Sequence, residues 1–314
     1  MRRAFVNSLI KICQLDDRVI IISGDLGFGV FDDFKEKYPH QFLNAGIAET
    51  NIIGMAAGLA LSGYRVFVYS IAPFLVYRAF EQIRDDVCYQ NLPVTIVGVG
   101  SGLAYGNAGP SHHATEDLAL MVSLPNMTVV CPGDPIEVEK AMEKIYKLPG
   151  PAYLRLNRSG DKSIHKTDNI NFEIGKGLKI EDGSDLLILT TGNTLEIASQ
   201  VTIKLENVGL SVDLINMHTL KPFDKDALLT NAKGKRLIIT IEEHSPFGGL
   251  TSIVANFLLS YKITANFLSL TLPDKFAGIS GSQEYLRKLY GLDPESVFQR
   301  IYEKWKEIGG EDIK

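Results

Sequence analysis

Short runs of apolar, often β-branched residues alternate along this chain with helical stretches, and this alternation restricts the possible folds more than any other feature. Five runs in the first half predict strands, at residues 19–23, 65–70, 94–99, 128–131 and 152–156. Helices are predicted between them at residues 50–61, 77–89 and 135–147. Continuously apolar strands that alternate with helices indicate a parallel sheet covered by helices on both faces.

The same alternation returns in the second half after a polar stretch at residues 157–173. Strands are predicted at residues 185–191, 211–215 and 236–242, with helices at residues 195–205 and 249–261. A chain of 314 residues suits two domains. The sequence therefore predicts an α/β protein with a first domain at 1–158, a linker at 159–173 and a second domain at 174–314.

Composition and charge exclude several classes of protein. Hydrophobic residues make up 45% of the chain and charged residues 22%, as in ordinary globular proteins and unlike disordered ones. The net charge of −5 and the lack of a basic cluster argue against binding to nucleic acid or to an anionic membrane. Polar residues and glycines interrupt the most apolar region, residues 52–77, which argues against a membrane span.

The N-terminal segment and the cysteines predict a cytoplasmic protein. Residues 1–17 predict an amphipathic helix rather than a signal peptide, because the apolar part is short and contains polar and acidic residues. Cys13, Cys88 and Cys131 are odd in number and far apart, which argues against a disulfide framework or a zinc site.

Glu49 is the one acidic residue in the apolar segment 42–68. A carboxylate partly removed from water there holds or shares a proton more readily near neutral pH. The alternative is a first-turn carboxylate that complements the helix dipole. In the same predicted helix, Gly54 and Gly58 lie one turn apart and allow another helix to approach closely, either within the chain or in a second subunit.

A glycine-rich loop at residues 98–109 leads from a predicted strand to His112 and His113. The loop has neither the P-loop spacing nor a dinucleotide fingerprint, so it is weak evidence for phosphate binding. Adjacent histidines cannot easily face one metal ion, and we expect no metal site in this chain. One of the two histidines is a candidate general acid–base or hydrogen-bond donor, and the alternative is a polar surface loop.

An aromatic segment at residues 69–84 is most simply explained as core, since Phe74, Tyr77 and Phe80 share roughly one face of a helix. An aromatic ring just before a helix can instead stack on a planar cofactor. The segment alone does not decide between these interpretations.

Taken together, these segments resemble the thiamine-diphosphate enzymes of the transketolase family. The resemblance covers nearly the whole chain but only the last two domains of that family. FLNAGIAETNIIGMAAGLALSGYRVFV, at residues 42–68, looks like the pyrimidine-binding stretch, and RAFEQIRDDVCYQNLPV, GNAGPSHHATEDLALMVSLPNMTVV and PAYLRLNR follow in family order. VDLINMHTLKPFD and IEEHSPFGGLTSIVANFL look like the C-terminal domain. The resemblance implies a pyrimidine-binding domain followed by a transketolase C-terminal domain, each with a mostly parallel sheet.

The resemblance also assigns the site residues. Glu49 matches the glutamate that hydrogen-bonds N1′ of the aminopyrimidine and thereby activates the cofactor. His112 matches the active-site histidine that contacts substrate oxygens. The resemblance assigns four further residues to cofactor binding: Phe74, Ile71, Tyr77 and Asp25. At Ile71 the family has a second aromatic residue, so this position is apolar here but offers no ring for stacking.

One half of the family's cofactor site is missing from this sequence. The family binds diphosphate and Mg²⁺ through a Gly-Asp-Gly motif, and the chain contains none. The resemblance therefore implies that an N-terminal partner subunit carries this motif and holds the Mg²⁺. We expect two copies of each chain in an α2β2 complex, with this chain dimeric.

The expected activity is transfer of a two-carbon ketol unit between sugars. The alternatives are a subunit that resembles deoxyxylulose-phosphate synthase, one that resembles the oxo-acid dehydrogenase β chain, and a non-catalytic partner. The synthase-like alternative is weakened because this chain has Ser101 where that family has an arginine. Transketolases that use pentose-phosphate sugars have a histidine, an aspartate and an arginine where this chain has Gly100, Ala108 and Cys131. These three substitutions imply a non-standard sugar substrate, although Arg2 matches one phosphate-binding arginine of the family and the partner chain can supply others.

Overall fold

The computed structural model describes residues 1–158 and 162–310, which form two sheets and the helices around them. The strands are β1 Val19–Ser23, β2 Phe42–Asn44, β3 Arg65–Ile71, β4 Val94–Val99, β5 Thr128–Val130, β6 Ala152–Leu156, β7 Leu178–Glu181, β8 Leu186–Thr190, β9 Val212–Asn216, β10 Thr219–Lys221, β11 Leu237–Ile241 and β12 Asn266–Leu270. The helices are α1 Arg2–Cys13, α2 Asp32–Lys37, α3 Glu49–Leu61, α4 Ala72–Arg78, α5 Phe80–Gln82, α6 Asp117–Ser123, α7 Pro135–Ile145, α8 Leu195–Asn207, α9 Lys225–Asn231, α10 Leu250–Ser260, α11 Gln283–Leu289 and α12 Pro294–Glu307. None of these helices is long and apolar enough to cross a membrane.

The first sheet has seven strands in the order β10-β5-β6-β4-β3-β1-β2. All neighbours in it are parallel except β10, which pairs antiparallel with β5. Alternate side chains of β3 enter different cores: Val66 and Val68 lie in one apolar cluster, and Phe67 and Tyr69 lie in another. Since successive side chains of a strand point to opposite faces, both faces of this sheet are covered.

The second sheet has five strands in the order β12-β11-β8-β9-β7, parallel except for the β7–β9 pair. Leu186 and Ile188 face a cluster confined almost entirely to the second domain. Leu187 and Leu189 instead join the cluster that also contains Leu118 and Met121 of the first domain. The two domains therefore share one continuous apolar core, and the predicted fold of two mostly parallel sheets covered by helices is confirmed.

The segment between the domains is packed against the first domain. Residues 159–161 of the predicted linker lie outside the described residues, and residues 162–173 contain neither helix nor strand. Phe172 is 3% exposed, belongs to the first-domain core and stacks on the ring of His218 at 3.9 Å between centroids. The linker and the domain limits at 158 and 174 stay predictions.

Two local features differ from the sequence-based expectation. The helix predicted at residues 77–89 is broken: α4 begins at Ala72, with a proline in its first turn, and ends at Arg78, and a π-helical turn, Ile83–Cys88, follows. The strand β10 comes from the second half of the chain but completes the sheet of the first domain.

Candidate active site

The candidate active site lies where β1, β3 and β4 end, at one edge of the first sheet. These parallel strands end side by side, so the loops that follow them are close together. Ligands of open α/β sheets bind in this position. Asp25 follows β1, Ile71 ends β3, and the glycine-rich loop follows β4.

Glu49 is the first residue of α3 and is 1% exposed. Its Oε2 accepts a hydrogen bond of 2.7 Å from Nη1 of Arg78, whose side chain is half exposed. Because a buried carboxylate is costly without a partner, the guanidinium stabilises it in this position. A carboxylate at the start of a helix also gains from the helix dipole, so both interpretations of Glu49 from the sequence fit its location.

Arg78 is a site residue that the sequence analysis did not single out. It ends α4, and its Cζ lies 5.2 Å from the centroid of the Phe74 ring. Arg78 lies four residues after Phe74 on the same helix, so the two side chains share one face of it. This spacing is the feature of the sequence that could have identified Arg78 as a site residue.

Phe74 and His112 come together although they lie on different elements. Their ring centroids are 4.8 Å apart in an edge-to-face arrangement. Nδ1 of His112 lies 3.0 Å from the Ser111 hydroxyl, and the Tyr105 ring is 6.1 Å away. Glu49, Arg78, Phe74 and His112 thus form a continuous series of contacts, which we call the candidate active site.

The two adjacent histidines have different environments. His112 is only half-buried, whereas His113 is 4% exposed and its Nε2 has no hydrogen-bond partner among the described residues. Burial lowers the pKa of His113 below its ordinary value. His112 is therefore the histidine of the pair that is open to a ligand.

The other assigned residues lie around this series of contacts. Asp25 has a positive φ of 54° and accepts a hydrogen bond of 2.9 Å from the Asn44 side chain. Ile71 is half-buried at the N-cap of α4. The Tyr77 hydroxyl donates to Glu116 at 2.9 Å and its ring packs on the apolar core, so Tyr77 contributes core packing here. Its assignment to cofactor binding stays a prediction.

The ring of Tyr105 occupies the space beside Gly100. A Cβ atom added at Gly100, which has a φ of 92°, would collide with that ring. Arg158 lies over the Tyr105 ring, with its Cζ 4.6 Å from the ring centroid. Arg158 and Arg2 both line a neighbouring cleft of about 750 Å³. A histidine at position 100 is incompatible with this placement of Tyr105.

The other two substituted positions differ in exposure. Ala108 is exposed at the end of a 3₁₀ turn, Gly106–Ala108. Cys131 is fully buried between β5 and the second domain, and its backbone N–H donates to the His218 carbonyl at 2.6 Å. Burial raises the pKa of its thiol to about 12, so this cysteine is not a nucleophile at neutral pH.

A buried ion pair supports the loop that carries His112. Arg155 on β6 donates to both carboxylate oxygens of Asp117 at 2.8 and 3.0 Å, and the Tyr153 hydroxyl donates to Asp117 at 2.6 Å. Arg155 also donates to the carbonyl of Ala114, two residues after His112. Asp117 and Arg155 are 0% and 2% exposed, so this pair is removed from water.

We expect Asp117→Ala to destabilise the protein by about 3–5 kcal/mol, because it leaves the guanidinium of Arg155 buried without its counter-charge. Urea denaturation measures the effect. The matched control is Glu139→Ala, which breaks the exposed pair with Lys11 at 3.5 Å and should cost about 1 kcal/mol or less. Equal losses for the two variants would contradict a structural role for the buried pair.

Glu242, Glu243 and His244 follow the end of β11, and all three are buried. Glu242 accepts hydrogen bonds from the N–H groups of Leu250 and Thr251 at the start of α10. Glu243 crosses to the first domain and accepts a hydrogen bond of 2.6 Å from the N–H of Leu103 in the glycine-rich loop. The second domain therefore fixes the position of that loop.

Comparison with known proteins assigns both halves of the chain. The family model described as the transketolase pyrimidine-binding domain matches residues 1–160, and that of the transketolase C-terminal domain matches residues 175–297. A putative transketolase C-terminal section from Methanocaldococcus jannaschii is 37% identical over 98% of this chain and 96% of its own length. A subunit of apulose-4-phosphate transketolase from Phocaeicola vulgatus is 33% identical, with 96% of each chain covered.

A solved structure agrees with these sequence matches. It is a split-gene transketolase described as an inactive β4 tetramer, 34% identical to this chain. The two superpose with a TM-score of 0.88 over 96% of this chain and 97% of that one.

Proposed function

The chain belongs to the transketolase family as the pyrimidine-binding and C-terminal domains of a split enzyme, and from this premise we propose that a second polypeptide completes its active site. The observation that carries the proposal is the buried carboxylate of Glu49, which Arg78 connects to the neighbouring rings of Phe74 and His112. A carboxylate, an aromatic ring and a histidine at the end of a parallel sheet fit the recognition of an aminopyrimidine and a sugar. The chain is a transferase subunit, and its family depends on thiamine diphosphate.

Glu49 is proposed to hold the pyrimidine ring through a proton shared with N1′. Thiamine diphosphate, when bound, supplies the nucleophilic carbon and the electron sink that ketol transfer needs. Glu49 at the base of the site would accept the N1′ hydrogen bond, and Phe74 would pack against the ring. Arg78 now donates to the carboxylate, so its half-exposed side chain has to release or share Glu49 when the pyrimidine binds.

His112 is proposed to orient the sugar. Its half-buried ring projects between Phe74 and Tyr105, and a neutral or charged imidazole can donate a hydrogen bond to a sugar oxygen. The Asp117–Arg155 pair and Glu243 fix the loop, which keeps His112 in position relative to Glu49. Such positioning is what makes ketol transfer an effectively intramolecular step.

The partner is proposed to be an N-terminal transketolase subunit that carries Gly-Asp-Gly and binds Mg²⁺ and the diphosphate. No such motif occurs in this chain. Relatives whose names describe a transketolase subunit or a C-terminal section support a partner of this kind.

The proposed assembly contains two copies of each chain. Gly54 and Gly58 lie on α3, and the space beside each of them is open to at least 4 Å. A second copy can approach this helix closely there, which supports a dimer of this chain within an α2β2 complex. The related split-gene chain, described as a β4 tetramer, is an example of self-association in a similar protein.

The substrate is proposed to be a sugar other than the usual pentose phosphates. Tyr105 fills the position of the usual histidine, Ala108 cannot hydrogen-bond a sugar hydroxyl, and Cys131 is buried. A charged hydrogen bond to phosphate is not replaced by glycine or cysteine. Ser101, 2% exposed, leaves little room for the arginine of the synthase-like alternative.

We expect the reconstituted complex to use xylulose 5-phosphate with ribose 5-phosphate poorly. A donor–acceptor panel measures kcat/KM for that pair and for other ketoses. A value of roughly 10⁴ M⁻¹s⁻¹ or more for the standard pair would contradict the interpretation of the three substitutions.

Two variants of Tyr105 sharpen this panel. Tyr105→Ala removes the ring beside Gly100 and is expected to change the ratio of kcat/KM between donors by about tenfold or more, the scale of a lost pocket contact. Tyr105→Phe keeps the ring and should change the ratio much less. Identical panels for both variants would mean that the ring does not select the donor.

A further inference from the structure

Arg78 makes both of the contacts that the proposed function assigns to the aminopyrimidine ring. Its Nη1 donates to Oε2 of Glu49 at 2.7 Å, and its Cζ lies over the Phe74 ring, 5.2 Å from the centroid. A guanidinium is planar, carries N–H donors and stacks on aromatic faces. It therefore resembles an aminopyrimidine in shape and in the groups that it binds.

The carboxylate of Glu49 is closed to solvent in this arrangement. The Glu49 side chain is 1% exposed, whereas that of Arg78 is 51% exposed. Because Arg78 is hydrogen-bonded to the carboxylate and is itself open to water, its side chain lies between Glu49 and the solvent. A ligand that approaches from this side reaches Glu49 after the guanidinium has moved away.

The location of Arg78 allows this movement without a change in the fold. Arg78 is the last residue of α4, and the backbone leaves the helical conformation at Ala79, where φ is −105° and ψ is 23°. Within the described part of the chain, its side chain makes one ion pair, the one with Glu49. Breaking that pair and the contact with the Phe74 ring frees the guanidinium, which then gains water.

We propose that Arg78 is a built-in competitor of the cofactor, which covers Glu49 until the pyrimidine ring displaces it. The proposal rests on the proposed function of Glu49. A protein that is open to a ligand in a fraction of its molecules binds that ligand with an affinity reduced by the same fraction. The charged hydrogen bond and the ring contact both stabilise the closed arrangement, so we expect the open fraction to be about a tenth or less.

A competitor of this kind couples cofactor binding to assembly of the complex. Displacement of Arg78 costs free energy, and the contacts of the pyrimidine with Glu49 and Phe74 offset that cost in part. The proposed partner subunit supplies the contacts to the diphosphate, whose binding free energy adds to that of the pyrimidine. We therefore expect the isolated chain to bind a pyrimidine weakly and the complete site to bind the whole cofactor tightly.

Calorimetric titration of the full chain with 4-amino-5-hydroxymethyl-2-methylpyrimidine, which carries the ring of the cofactor but neither thiazolium nor diphosphate, tests the proposal. We expect Arg78→Ala to bind this probe about tenfold or more tightly than the wild type does, because the open fraction then approaches one. Arg78→Gln has a shorter, uncharged side chain and should show a similar gain. Arg84→Ala is the matched control: it removes an exposed arginine paired with Asp85 and should leave the dissociation constant unchanged.

The outcomes separate this proposal from the proposed function. In the Arg78→Ala chain, Glu49→Ala should abolish the gain in affinity. Binding that depends on Glu49 but is equally tight in the wild type and both Arg78 variants overturns the competitor role and leaves the proposed function of Glu49 intact. Weaker binding by both Arg78 variants also overturns it, because Arg78 would then hold the ligand. No binding by any variant, or binding that Glu49→Ala leaves unchanged, overturns the proposed function together with the competitor role.

Discussion

Glu49→Gln is expected to slow loss of the C2 proton of bound thiamine diphosphate by about 10²–10⁴-fold, the usual contribution of a positioned acid–base group. Glutamine keeps the volume and an oxygen that can accept the hydrogen bond from Arg78, so the fold should persist. It cannot take up or release a proton in the same way, and this proton is what the proposed role of Glu49 requires. Exchange of the C2 proton, followed by NMR in the reconstituted complex, measures the effect directly.

The control for this experiment is Glu139→Gln, which changes a surface carboxylate paired with Lys11. It should exchange the C2 proton at the wild-type rate. Equal melting temperatures for Glu49→Gln and wild type would exclude misfolding as the cause of a loss. Exchange near the wild-type rate in Glu49→Gln would mean that Glu49 serves only as a helix-start carboxylate that complements the dipole of α3.

The isolated chain is expected to fold and to associate with itself but to catalyse no ketol transfer, even with thiamine diphosphate and Mg²⁺ present. Adding an N-terminal subunit that carries Gly-Asp-Gly should raise turnover by about 10³-fold or more, toward the range of ordinary enzymes. The physical reason is that this chain offers a pyrimidine pocket but no motif for the diphosphate.

Light scattering gives the mass of the isolated chain, and a coupled assay gives its activity before and after the partner is added. The Glu49→Gln chain, mixed with the same partner, separates assembly from catalysis, because it should assemble normally and remain slow. Robust turnover of the isolated wild-type chain would contradict a divided active site.

The sequence predicted what depends on local pattern. The strands β1, β3, β4 and β6 follow continuously apolar runs, so their positions were predicted to within a residue. The start of α3 at Glu49 was also predicted to within one residue, because a turn is followed there by an apolar helical stretch. Short edge strands such as β2, with three residues, carry too little pattern to be detected.

What the sequence could not predict depends on contacts between distant segments. The bond from Leu103 to Glu243 joins residues 140 positions apart, and nothing near Glu243 indicates it. Gly100 by itself indicates a missing side chain, but only the structure shows that the Tyr105 ring fills that space. The two adjacent histidines likewise became distinguishable only through their burial.

The pairing of β10 with the first sheet limits how these two domains can be recombined with those of a relative. Residues 219–221 belong to the second half of the chain by position but to the first sheet by hydrogen bonding, where they cover the edge of β5. A chimera joined within the predicted linker would combine β5 of one parent with β10 of the other, and an ill-fitting edge strand exposes unpaired backbone groups. A hybrid with a transketolase relative therefore has to transfer the β5–β10 pair as a unit, whichever parent supplies the rest of the second domain.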